Sequence, residues 1–172
     1  MTPGIRPRNR VLHILQLFET RDVWSVEDTA GEMGMSKSSA YRDVQEMVQA
    51  AFLAPVVGGG YILGPAFIRY DRLVRSSDPL IRLGGPIMRR LLAATTQRAV
   101  AVLSRRYRDQ VMCVHQEVGS APHPITAYER GVAMPMFSGA TSKAILAHLG
   151  ERTLERMYLD NEELIRRTLG CR

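Results

Sequence analysis

The run SVEDTAGEMGMSKSSAYRDVQEMV, Ser25 to Val48, holds two helical patterns separated by a turn. Ser25 has the side chain of an N-cap, and Asp28 three residues on completes a capping-box pattern. Val26, Ala30 and Met33 follow at helical spacing, and Ala30 is small enough for a second helix to come close. Gly34 stands where a chain leaving a helix takes a positive φ. Ser36 caps the next helix, whose apolar face is Ala40, Val44, Met47, Val48 and Ala51. Its other face carries Lys37, Ser38, Tyr41, Arg42, Gln45 and Gln49, the charge, hydroxyls and amides suited to DNA phosphates and base edges. The pattern is a helix-turn-helix with the second helix as reader. Taken alone, it fits a plain helical hairpin with a solvated face equally well.

The residues that follow separate the two readings. Phe52 to Val57, then Gly58-Gly59-Gly60, then Tyr61 to Leu63 read as two short strands around a glycine turn. A β-hairpin directly after the second helix is a wing, and a winged helix-turn-helix points to DNA. Upstream, Val11, Leu12, Ile14, Leu15 and Phe18 lie along a helix within Asn9 to Thr20 that would close a three-helix core. Trp24, just before the Ser25 cap, is expected to plug that core, and His13 to be packed or surface rather than a ligand. Arg6, Arg8 and Arg10 precede the first acid, Glu19, and form a basic arm able to reach phosphates or a minor groove. A merely solvated N-terminus accounts for them equally well.

Beyond the wing, Pro65 can start a helix with Phe67, Tyr70, Leu73 and Val74 on one side, a strut to a second module. Ser76-Ser77-Asp78-Pro79 reads as a linker. The helical pattern after it is interrupted at Gly84-Gly85-Pro86, with Ile87, Leu91 and Leu92 as apolar face and Arg89 and Arg90 as wet face. Ala99–Ser104 and Val111–Val118 are expected strands of a hairpin, with Pro124–Glu129 a third strand. After Gly131 the pattern turns helical, with Ala144, Ile145 and Leu149 inward, and stays so to the end. The fold class is therefore α+β: a winged helix-turn-helix over residues 1–64, a linker helix over 65–79, and an α+β module with an antiparallel sheet over 80–172.

Composition constrains this less than pattern does. The chain has 172 residues, 45% hydrophobic and 23% charged, values of a soluble globular protein. No apolar run is long enough to span a membrane and the first residues lack a signal-peptide core, so a cytoplasmic protein is expected. Cys113 and Cys171 are far apart, in no metal-type spacing, so neither a disulfide framework nor a metal or other cofactor is expected. The net charge is +6, yet residues 1–75 hold nine basic and eight acidic side chains, so net charge does not locate a DNA site.

Several of these pieces carry a family likeness. Val11–Phe18, the Ser25 cap, MGMSKSSAYRDV, YILG at Tyr61–Gly64 and GVAMPMFSGATSKAILA from Gly131 to Ala147 stand in the order found in the IclR family of bacterial transcriptional regulators, and the whole chain resembles roughly the N-terminal two-thirds of that family. The resemblance implies a winged helix, a helical linker and a GAF-like effector-sensing domain, apparently incomplete at its C-terminus because the chain stops at Arg172. It further implies a homodimer or dimer of dimers on palindromic operator DNA, and an effector that is a small organic acid or aromatic metabolite. Three positions depart from the family's usual pattern: Gly139, Ser142 and Phe137.

On this reading the DNA-contacting residues are Arg8, Ser36, Lys37, Ser38, Tyr41, Arg42, Gln45 and Gly59. Arg42 leads, because a guanidinium pairs bidentately with guanine; Asp43 would brace Arg42 or repel phosphate. In the second module, the helix opening near Thr141 would offer amides beside Gly139 and Ala140, with the hydroxyls of Thr141 and Ser142, to an anion such as a carboxylate effector. Met134, Met136 and Phe137 would wall the apolar part of the ligand, or else be plain core. Two rival classes remain. One is an adaptor whose winged helix binds protein. The other is a small enzyme using Cys113, His115 and Glu117, which period two places on one strand face in a row that does not converge as catalysis requires.

Overall fold

The computed structural model describes residues 9–95, 98–120, 122, 125, 126 and 128–169. The chain divides into two compact units, residues 1–76 and 77–172.

The first unit is built as the Ser25–Val48 pattern requires. Helix α1 (Arg10–Leu17) is capped by the Asn9 side chain, α2 (Val26–Met33) by Ser25, and α3 (Lys37–Gln49) by Ser36. Gly34 closes α2 at φ 63°, the left-handed conformation a helix exit favours in glycine. Ile14, Val44, Met47 and Leu53 form the buried centre, with Val11, Leu15, Phe18, Met33 and Phe52 packed around them. Trp24 is buried, and its indole Nε1 donates to the carbonyls of Leu17 and Arg21. Leu12, expected inward, is 52% exposed.

One residue expected on α3 lies beyond it. Ala51 sits at φ 61°, outside the helix, in a Schellman-type ending. Its N–H donates to Val48 O (2.9 Å) and the Phe52 N–H to Met47 O (2.8 Å). That reversal aims the chain into the wing. Strands β1 (Leu53–Pro55) and β2 (Tyr61–Leu63) pair antiparallel, Leu53 opposite Leu63 and Pro55 opposite Tyr61. Trp24 adds a third rung: its N–H donates to Tyr61 O and the Tyr61 N–H to Trp24 O, at 3.0 and 2.9 Å. Helix α4 (Ala66–Ser77) docks through Phe67 edge-on and Tyr70 stacked against Phe52, while Leu73 and Val74 are exposed rather than packed.

In the second unit, α5 (Pro79–Ala93) runs unbroken through Pro86, where an interruption is expected from the sequence. Its buried face is Ile81, Gly85, Met88 and Leu92, so Ile87 and Leu91 point to solvent, a phase error that the Gly-Gly-Pro run concealed. The two glycines serve packing: a Cβ on Gly84 would strike the Leu103 side chain at 2.8 Å. Strands β3 (Val100–Tyr107) and β4 (Gln110–Val118) form a hairpin closed by only two residues, with Arg108 at φ 54°. Residues 105–110, left between the two expected strands as their turn, are mostly strand, because exposed arginines suit the open side of an edge strand. The third strand is β5 (Ala133–Pro135), paired with the start of β4. Of the expected strand Pro124–Glu129, residues 124 and 127 lie outside the described residues, and the others form no strand. Helix α6 (Ala140–Leu146) begins later than the pattern suggests, and α7 (Glu151–Leu169) bends at Asn161. Val111, Met136 and Met157 form this unit's core, flanked by Phe137, Ile145, Leu146 and Leu149.

Candidate nucleic-acid interface

The face of α3 that its core residues leave outward is polar and accessible. Ala40, Asp43, Val44 and Met47 are the buried series, which turns Lys37, Ser38, Tyr41 and Arg42 to solvent. Tyr41 is 54% exposed. Arg42 forms no ion pair or hydrogen bond among the described residues and so keeps all five N–H donors for a ligand. Ser36 Oγ accepts from the Ser39 N–H and shares hydroxyl contacts with Ser38 and Ser39 at 3.3 and 3.0 Å. Those hydroxyls therefore sit at the helix start, where the first amides have no intrahelical partner.

Lys37 Nζ lies 3.3 Å from Glu27 Oε1, both side chains well exposed. Hydrogen bonding from its own backbone, then from Lys37, holds the Glu27 carboxyl below its ordinary value. Exposed pairs of this kind are weak, so Lys37 can exchange Glu27 for a phosphate. At the start of α2, hydrogen bonding with Ser25 holds the Asp28 carboxyl below its ordinary value; lost hydration opposes it, and the nearby Arg21 adds a smaller lowering effect.

Two residues have duties that the helical wheel does not reveal. Gln45 donates through Nε2 to the Tyr61 hydroxyl at 3.1 Å, tying the α3 face to the wing. Asp43 leaves Arg42 alone and instead pairs with Arg10, whose Nε lies 3.1 Å from Oδ2. Long-range pairs of this sort carry no periodic signal; an acid at a core-facing phase of α3 was the only sign. At the wing tip Gly58, Gly59 and Gly60 have φ of 93°, 94° and 98°, and Val57 beside them is fully exposed. Arg8 lies outside the described residues.

The effector residues expected in the second unit divide into core and surface. Met136 is 1% exposed in the core, and Ser142 is fully buried, its hydroxyl donating to Pro135 O at 2.9 Å. Phe137 packs on the same core, and Met134 lies in β5. Gly139 caps α6 at φ 88°, where a side chain would run into the Tyr128 hydroxyl, and Ala140 is exposed. Helix α6 has seven residues and no side-chain cap. Thr141 faces elsewhere: with Val102, Ser104, Ile145 and His148 it lines an open groove of about 480 Å³ between β3 and α6.

The row Cys113, His115, Glu117 is not one face. Leu103 pairs with His115 but Ser104 with Cys113, so Val114 is a bulge and the strand changes phase there. His115 and Glu117 turn toward α5, their Nε2 and Oε1 3.8 and 3.7 Å from the Cβ position of Gly85. Cys113 keeps the phase of Val111. Glu117 holds His115 at 3.1 Å and Arg89 at 2.6 Å, and its carboxyl is lowered first by His115 and then by Arg89. Burial pushes the Cys113 thiol up, the reverse of an activated nucleophile. This geometry does not bring the three groups together as a catalytic set.

The paired wing, the capped α3 and its outward polar face define a winged helix-turn-helix protein. No family model matches the chain. A curated relative, the HTH-type transcriptional regulator KipR of Bacillus subtilis, is 24% identical over 88% of this chain and 59% of its own length. Among solved structures, an IclR homolog from Microbacterium hydrocarbonoxydans, complexed with 4-hydroxybenzoate, aligns at TM-score 0.65 and 21% identity over 86% of this chain and 61% of that one. An IclR family transcriptional regulator from Brucella abortus aligns at TM-score 0.67 and 19% identity over 95% of this chain and 67% of that one. In fold the chain is similar to these IclR-family structures, and it spans about three fifths of the length of most of these relatives.

Proposed function

We propose that this chain is a DNA-binding transcriptional regulator acting from the cytoplasm, with α3 in the major groove of a palindromic operator. The observation that carries the reading is Arg42: outward on a capped, wing-braced helix and free of any partner among the described residues. Arg42 and Tyr41 read base edges, while Lys37, Ser36, Ser38 and the wing tip at Gly59 meet the backbone. Gln45 serves by fixing the wing to the helix. Arg8 belongs to the same proposal as a minor-groove or phosphate contact. The protein works as a homodimer or dimer of dimers, since palindromic half-sites mirror protein symmetry.

The second unit responds to a small organic acid or aromatic metabolite. The 4-hydroxybenzoate complex of the Microbacterium protein supports that ligand class. Its contact surface includes Gly139 and Ala140 with Met134 and Phe137, while Met136 and Ser142 shape it from the core and Thr141 faces the groove between β3 and α6. The test is selection of bound sites from random duplexes, followed by titration of aromatic and aliphatic carboxylates against the selected site. A palindromic consensus and a ligand-dependent shift in affinity are expected. Binding without salt dependence, or no enrichment, favours the protein-adaptor reading.

A further inference from the structure

We propose that Arg10 is a DNA-phosphate contact and that Asp43, on the inward side of α3, is the residue that positions it; this rests on the reading of α3 as the DNA-binding helix. Asp43 occupies a core phase of α3, one residue from Arg42, and is 8% exposed. A carboxylate there is costly unless paired. Its partner comes from far along the chain: Arg10 Nε lies 3.1 Å from Oδ2, and Nη2 donates to Oδ1 at 3.4 Å.

The geometry of the fork matters. Asp43 faces the side of the guanidinium formed by Nε and Nη2: Nη2 donates to Oδ1, while Nε lies in ion-pair range of Oδ2 without hydrogen-bonding to it. Nη1 and the second Nη2 hydrogen remain, and the Arg10 side chain is 60% exposed. An arginine held on one edge by a buried acid, with its other edge in water, is prepared for a second oxyanion of phosphate shape. Helix stability does not explain the placement. Arg10 is the first residue of α1, where the helix dipole disfavours a cation, and the first turn contains no acid to offset it. The two residues thus couple the start of α1 to the helix proposed to enter the groove.

The test uses the full chain and a mixed-sequence duplex a few helical turns long, titrated between about 50 and 200 mM salt. The double variant Arg10→Met/Asp43→Leu replaces the pair with apolar side chains, a change that folded proteins commonly tolerate. Its Trp24 fluorescence melting curve reports whether the first unit is intact. With the fold intact, the slope of log affinity against log salt should be shallower by about 0.9, the value of one phosphate contact. Affinity near physiological salt should fall several-fold. An unchanged slope and affinity in a folded double variant overturns the assignment and leaves a structural pair only. If the double variant does not fold, Arg10→Gln keeps an amide donor for Asp43 and is read by the same slope, with the same two outcomes. Absence of salt-dependent binding by the parent chain overturns the DNA reading and this inference together.

Discussion

Gly64 is the position where one added carbon should do the most damage to the first unit. It is buried, and its N–H donates to Phe52 O at 2.7 Å, so the end of the wing crosses directly over the end of α3. A Cβ built there lies 2.9 Å from the carbonyl carbons of Ala51 and Phe52, and closer still to the Ala51 oxygen. These are backbone atoms, which cannot rotate aside as a side chain would. Relief requires the two segments to part, which strains the Gly64–Phe52 bond and the neighbouring bond from Ala66 N to Ala51 O at 3.0 Å. Overpacking costs about 1–3 kcal/mol and each weakened hydrogen bond about 1 kcal/mol, so Gly64→Ala should destabilise by roughly 2–4 kcal/mol. For a unit of this size that is a fall in Tm of about 10 °C or more. The single tryptophan, Trp24, is buried in the first unit, so its fluorescence follows that unit's unfolding and not the second's. A Gly64→Ala midpoint within about 2 °C of the parent's would refute the close crossing that this reasoning requires.

Ala51 offers the opposite change. An alanine at φ 61° is strained by about 1 kcal/mol relative to glycine, so Ala51→Gly should raise the same fluorescence midpoint by several degrees, and a lower midpoint would count against the Schellman ending. The Glu117 carboxyl is depressed below its ordinary 4.5 by His115 and Arg89, so its contribution is complete above pH about 4.5 and lost as pH falls through the lower folded value. Glu117→Gln should therefore cost stability at pH 7 and little at pH 3, read by urea titration of the second unit's circular dichroism; an equal loss at both would remove the ion-pair account. Cys113 is 1% exposed with its thiol pushed up by burial, so it should resist alkylation in the native chain and react once unfolded, followed by peptide mass spectrometry.

The first unit was legible because its signals are local. Caps at Ser25 and Ser36, the glycine at 34 and the glycine run at 58–60 each act within a few residues of themselves, and the structure uses them all. The second unit was less so, because its deciding events are not periodic. A bulge at Val114 turned His115 and Glu117 away from Cys113, and nothing in the alternation of β4 announces it. Gly84 and Gly85 read as an interruption, but their purpose is room for the sheet, a requirement visible only when Leu103 and His115 are placed opposite them. Pairs such as Arg10–Asp43 and Gln45–Tyr61 span the chain and have no signature beyond an odd polar residue at the edge of an apolar face. For the effector surface, the sequence could not tell wall from core, because methionine and phenylalanine serve both; Met136 proved to be core.

The most direct test of the account is the affinity of Arg42→Ala for a duplex site selected with the parent chain, measured by fluorescence anisotropy at fixed salt. The account predicts a loss of about 1–3 kcal/mol, with discrimination relaxed at one base pair of each half-site and the Trp24 melting curve unchanged. Binding as tight and as selective as the parent's would contradict it.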